Sequence, residues 1–149
     1  MELIIFMGIQ ATGKSEFYKR NLYKTHIRLN LDMLKTRNRE HILLEACLRA
    51  KQPLCIDNTN PTVKDRVKYI LAAKEAGFTV VGYYFKSSIT DSILRNNLRT
   101  GKECVPVSAI TATHKKLELP LMDEGFDKLW YVYIDGNGNF VVEDYENEI

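Results

Sequence analysis

At 149 residues the chain is one domain long, enough to bury roughly two thirds of the surface its unfolded form exposes, so it needs no metal or disulfide to hold a core. Hydrophobic residues at 45% and charged residues at 27% argue against the disordered and membrane classes. The 21 Lys and Arg against 19 Asp and Glu leave a net charge of +2, too little for composition alone to announce a nucleic-acid binder.

Leu3 to Met7 form a short continuous apolar run, as a strand buried on both faces should, and a glycine loop follows. Helical spacing then runs from Ser15 to about Tyr23. IRLN predicts a short second strand, Asp32 opens a helix reaching about Ala50, and Pro53 stops it. PLCID is the third strand and DNTNP a loop. Thr62 with Asp65 predicts a capping box for a helix whose apolar stripe is Val63, Val67, Ile70 and Leu71. FTVVGYYF is the fourth strand. Thr90 caps a helix to about Leu98, RTGKECVP is a loop, and Ser108 opens a helix that Pro120 closes. KLWYVYI is the fifth strand, and DGNGN before FVVE is a hairpin turn. Strands alternating with helices predict an α/β domain over 1–149: a parallel sheet of about five strands flanked by helices, with a C-terminal hairpin strand.

Cys47, Cys55 and Cys104 are odd in number and far apart, which suits buried thiols in a reducing compartment better than a disulfide framework or zinc site. LIIFM is only a strand's length, too short for a leader or a span, so the expectation is a cytoplasmic chain without membrane contact.

GIQATGKS, Gly8 to Ser15, fits GxxxxGK[ST], a pattern that arises by chance in well under 1% of chains this long. The loop Gly8, Ile9, Gln10, Ala11, Thr12 and Gly13 lets backbone N–H groups curl around phosphate oxygens. Lys14 neutralises the β and γ phosphates, and Ser15 ligates Mg²⁺ at a helix N-terminus. The expected ligands are therefore ATP, or another nucleoside triphosphate, and Mg²⁺.

A P-loop alone does not choose between a kinase, a switch and a motor. Asp32, near a helix start, is either a plain N-cap or the general base that orients an attacking alcohol and takes its proton. Asp57 ends an apolar strand, where an acid serves Mg²⁺, in part through water, or caps the turn into DNTNP. Arg95 and Arg99, four apart on a predicted helix, either form a solvated basic face or converge on a triphosphate from a lid spanning about 95–107.

GIQATGKS, NLDML, DNTNP and RNNLRTGKECVPVSAI together resemble the kinase module of polynucleotide kinases, over roughly residues 1 to 130. The specific parts are DNTNP and the lid pattern RxxxRxxxxxVP. The resemblance implies a P-loop kinase fold and transfer of the ATP γ-phosphate to a 5′-hydroxyl of single-stranded or end-exposed DNA or RNA. By the same match Lys14 and Ser15 hold phosphates and Mg²⁺, Asp32 is the base, Arg95 and Arg99 are lid arginines, and Asp57, Asn58, Thr59 and Asn60 line the acceptor side.

Phage members carry an arginine three residues after the base, where this chain has Lys35. Either Arg37 takes over the acceptor phosphate or Lys35 holds it more loosely, without a bidentate grip. No DxDxT-like phosphatase motif occurs, so the expectation is the kinase module alone, open to separate phosphatase or ligase partners. Lys64, Arg66 and Lys68 could extend a phosphate-tracking groove, although alternate helical positions cannot all share a face. DGNGNFVVEDYE has the oxygen spacing of a calcium loop but Phe140 at its sixth position, so it is expected to be a turn; His26, His41 and His114 lack metal-ligand spacing. Two other readings remain at this stage: a P-loop kinase of a small metabolite or nucleoside, and a nucleotide-dependent switch or binding module.

Overall fold

The computed structural model describes residues 1–146. The chain runs β1 (Glu2–Met7), α1 (Lys14–Asn21), β2 (Ile27–Leu29), α2 (Leu31–Leu34), α3 (Arg37–Ala50), β3 (Leu54–Ile56), α4 (Val63–Glu75), β4 (Thr79–Phe85), α5 (Ile89–Asn96), α6 (Val107–Lys116), β5 (Lys128–Ile134) and β6 (Phe140–Asp144). One sheet holds all six strands in the order β2-β3-β1-β4-β5-β6. Every pairing is parallel except the closing β5–β6 hairpin.

The alternation of β1 divides the core. Leu3, Ile5 and Met7 face α3 and α4 with Leu44, Cys47, Tyr69 and Ile70; Ile4 and Phe6 face α1 with Phe17 and Leu22. Phe6 meets Phe17 and Phe85 edge to face, at ring separations of 5.9 and 5.0 Å. With helices on both faces, the strands' carboxyl ends are left free, and the loops that leave them gather there.

Three local expectations change. The helix predicted from Asp32 to Ala50 is two: Lys35 sits at φ 75°, ending α2, and the Thr36 hydroxyl then accepts from the Arg39 N–H to restart the chain as α3. On α4 the capping box forms, but Val63, Val67 and Leu71 point outward while Arg66, Tyr69, Ile70 and Ala73 are buried. Arg66 can fill a core position because its guanidinium pairs with Glu124 at 2.9 Å and donates to the carbonyls of Asn60 and Glu118. Of the three cysteines, Cys104 is exposed, and only Cys47 and Cys55 are buried. No helix among the described residues is long and apolar enough to cross a membrane.

The calcium-like segment is a turn: the Asp135 carboxylate accepts from the N–H groups of Asn137 and Asn139, and β6 follows antiparallel.

Candidate active site

The loop between β1 and α1 is wound tightly enough to require special backbone. Ala11 sits at φ 61° and Gly13 at φ 96°, and a Cβ on Gly13 would lie 2.8 Å from the Phe140 ring. The loop is pinned from outside as well: the Gly8 N–H donates to Thr59 O at 3.0 Å and the Ile9 N–H to Ser87 Oγ at 3.1 Å. Lys14 folds back over it, its ammonium donating to Gly8 O (3.0 Å), Ile9 O (2.7 Å) and Thr12 Oγ1 (3.3 Å). Burial pushes this ammonium down to about 8; Asp57 opposes the shift, Arg99 adds to it and Asp32 opposes it. Residues from three other segments of the chain thus bear electrostatically on one lysine.

Asp57, 2% exposed at the end of β3, accepts from Ser15 Oγ at 3.1 Å on the same oxygen that pairs with Arg28. Its side chain caps no turn among the described residues. Hard oxygen donors on Ser15 and a buried carboxylate fit a Mg²⁺ ion, and these two residues would hold it, Asp57 directly or through water.

Asp32 lies in the first turn of α2 but is not its cap. Asn30 performs that task, with its Oδ1 accepting from the Met33 N–H at 3.1 Å while its amide donates to Asp57 O at 2.6 Å. The Asp32 carboxylate is exposed and takes no hydrogen bond or ion pair from the described residues. Around it, Lys35 is equally unengaged, whereas Arg37 donates to Glu40 and Tyr69, each at 3.1 Å. Arg39 donates to Leu34 O.

From the opposite side Arg95 reaches Ala11 O at 3.4 Å. Arg99, expected on the same helix, lies past its end, its N–H bonded to Asn96 O and its guanidinium to Glu103 O at 3.3 Å. Both arginines nonetheless face the P-loop side, the second close enough to Lys14 to depress it.

No family model matches the chain. A bifunctional polynucleotide phosphatase/kinase from Schizosaccharomyces pombe is 25% identical over 131 residues, covering 84% of this chain but 32% of that protein, so the chain spans about a third of the relative's length. Among solved structures, a gluconokinase from Sinorhizobium meliloti superposes with a TM-score of 0.60 at 18% identity, over 87% of this chain and 82% of that one. Kti12 from Chaetomium thermophilum, in complex with ADP-AlF3, does so with a TM-score of 0.67 at 15% identity, over 91% and 92%. This is a nucleotide-binding P-loop kinase fold. Its sequence resemblance is to polynucleotide kinases.

Within that P-loop kinase fold, DNTN is largely a fastening. Asn58 accepts from the Leu31 N–H at 3.0 Å and donates to Glu40 at 3.0 Å. Asn60, expected on the acceptor side, is 3% exposed, at φ 43°, with its amide held by Phe6 O at 2.7 Å; it closes the loop rather than lining a substrate surface. Thr59 contributes its carbonyl to Gly8 N and is half-buried.

Three residues that carry the site give little sign in the sequence. Glu40 is buried on α3 and gathers Arg37, Asn58 and Tyr69, the last at 2.8 Å; burial and this carboxylate push the Tyr69 phenol well up. Arg28, on β2, bridges Asp57 and Ser15. Asn96 clasps Val105 through both N–H and C=O, at 2.9 and 2.7 Å, tying together the two ends of the segment that holds Arg99. For Arg28 the available signal was a charge inside a three-residue strand. For Glu40 and Asn96, polar residues on amphipathic helices, none distinguished them from solvated positions.

Proposed function

We propose that this P-loop kinase phosphorylates the 5′-hydroxyl of DNA or RNA with ATP, as the kinase module of the polynucleotide kinases it resembles. The observation that carries the reading is Asp32: an unpaired, exposed carboxylate, fixed at its helix start by Asn30 and Asn58, electrostatically within reach of the phosphate lysine. A switch has no use for such a group, and the resemblance to polynucleotide kinases favours a nucleic-acid acceptor over a small metabolite.

In this reading Asp32 accepts the hydroxyl proton as the 5′-oxygen bonds to the γ-phosphorus and the bond to the β-phosphate oxygen breaks in line, releasing ADP. Lys14 and the P-loop N–H groups hold the β and γ phosphates. Arg95 and Arg99 close from the lid, 95–107, and neutralise the charge spreading over the transferred group while excluding water as a competing acceptor. Mg²⁺ at Ser15 and Asp57 would supply further charge neutralisation. Lys35 is the residue we assign to the acceptor's phosphate, since Arg37 is engaged by Glu40. Thr59 and the lip of Asn58 border that side. The free thiols of Cys47, Cys55 and Cys104 support a cytoplasmic setting, and the phosphatase half named in the relative makes a separate phosphatase the natural partner activity.

The test is transfer from γ-labelled ATP to a panel of 5′-hydroxyl DNA, RNA, mononucleotides and sugars. Oligonucleotide labelling lost by a factor of about 10² to 10⁴ in Asp32→Asn, with ATP affinity kept, is expected. Labelling of small acceptors alone, or an Asp32→Asn enzyme that transfers at the native rate, refutes it.

A further inference from the structure

The corner where Ser15 and Asp57 meet is already filled by a cation of the chain itself. Arg28 Nε donates to Asp57 Oδ2 at 2.7 Å and Nη2 to Ser15 Oγ at 2.9 Å, while Ser15 Oγ donates to that same carboxylate oxygen at 3.1 Å. The three groups close a ring. Planar and forked, the guanidinium spans both oxygens, and its outer flank lies over the Tyr18 ring at 6.0 Å. Its side chain is 26% exposed and comes from β2, the edge strand, so a path toward solvent is open to it.

A divalent ion coordinated by the Ser15 hydroxyl would share that oxygen with Nη2, and an ion shared with Asp57 would stand against the guanidinium as a like charge in a largely buried place. Held on the same two oxygens, the two cations repel each other, so each weakens the other's hold. We propose that Arg28 is the resident counter-ion of this corner: it neutralises the buried Asp57 carboxylate and, by competing for the same two oxygens, sets the site's affinity for divalent metal. With Arg28 and Lys14 both beside Asp57, the corner carries no net negative charge to attract a bare ion. The metal therefore enters with the triphosphate, whose own charge draws it in as Arg28 swings aside. The inference rests on the reading of Ser15 and Asp57 as the metal residues.

The experiment is Mn²⁺ binding to the full chain, with neither nucleotide nor acceptor present, followed by electron paramagnetic resonance and by the rise in thermal midpoint. Wild type is expected to bind Mn²⁺ weakly and Arg28→Met on the order of tenfold or more tightly, because charge-assisted hydrogen bonds no longer have to be broken. Arg28→Lys keeps the charge beside Asp57 but cannot bridge to Ser15, and falls between them. Adding Asp57→Asn to either variant abolishes the gain. Equal or weaker Mn²⁺ binding in both Arg28 variants, or a gain that survives Asp57→Asn, overturns the proposal. No acceptor is involved, so failure of the 5′-hydroxyl reading would appear in the transfer assay and leave this measurement untouched.

Discussion

Lys14 offers a measurable consequence of burial. Its ammonium titrates at about 8, well below the ordinary lysine value of 10.5, because the folded P-loop strips it of water. A bound triphosphate brings several negative charges against that ammonium and restores its preference for the proton, so binding must take up whatever proton the free site lacks. At a free-site value of about 8, the lysine is roughly 90% charged at pH 7, about half at pH 8 and roughly 10% at pH 9, giving uptakes of about 0.1, 0.5 and 0.9 protons per ATP. The sign for affinity follows: above pH 8 the apparent binding constant falls about tenfold per pH unit, while below pH 7 Lys14 adds no dependence. The sign for stability is the opposite. The unfolded chain binds more protons than the folded one between about pH 8 and 10.5, so Lys14 makes the fold more stable as pH rises through that window.

Isothermal calorimetry of ATP binding in pairs of buffers with different ionisation enthalpies reads the uptake directly as a slope. Above pH 7.5 the triphosphate is fully ionised and contributes little. Lys14→Arg is the control, since its guanidinium stays charged and its slope should be near zero at every pH. An uptake that is flat from pH 7 to 9 in the wild type, or identical in Lys14→Arg, would mean that the lysine keeps its proton in the free site and that burial does not depress it.

Two further substitutions probe the scaffold. Gly13→Ala places a Cβ 2.8 Å from the Phe140 ring at a φ of 96°, and should lower stability by about 1 to 3 kcal/mol in chemical denaturation; Phe140→Leu added to it should recover the steric part alone, and full recovery would show that the backbone conformation carries no strain. Glu40→Ala removes the partner of Arg37, Tyr69 and Asn58 and should cost about 2 to 4 kcal/mol, with kcat falling more than the KM for ATP rises, because Asn58 fixes the helix that bears Asp32; an unchanged kcat would separate Glu40 from the acceptor side.

Much of this architecture was legible in the sequence because it rests on local chemistry. Short strand-like runs, most of them apolar throughout, marked the five parallel strands, the Thr62–Asp65 pair a real capping box, and GIQATGKS a P-loop between strand and helix. Where the sequence misled about α4, burial is decided by a partner far along the chain. Val63, Val67 and Leu71 have the spacing of a core stripe, yet Arg66 takes the inside because Glu124, 58 residues on, neutralises it. The break at Lys35 carries no glycine or proline to announce it; Asn30 and Thr36, each capping a helix, divide the segment between them. Of the two readings of Asp32, the N-cap falls, because Asn30, two residues earlier, is the cap.

The fastenings of the site are unequal, and that inequality separates its two sides. On the side we propose for the acceptor, successive segments hold one another by well-formed hydrogen bonds: Gly8 N–H to Thr59 O, Leu31 N–H to Asn58, Asn58 to the buried Glu40, and Asn30 to Asp57 O at 2.6 Å. The position of Asp32 is thereby set by backbone and buried groups. On the side of the proposed lid the arginines rest on single carbonyls at 3.4 and 3.3 Å, near the end of a hydrogen bond's range, and Asn96 ties the segment's ends. Exchanging those weak carbonyl contacts for phosphate oxygens favours lid closure whenever a triphosphate is bound, because a guanidinium–phosphate bond is charge-assisted on both partners. Under the function proposed above, a site built this way fixes the base in advance and leaves the transferred group to recruit its own cations, so disruption of the acceptor side should depress turnover at every ATP concentration, whereas disruption of the lid should be felt first in how ATP is held.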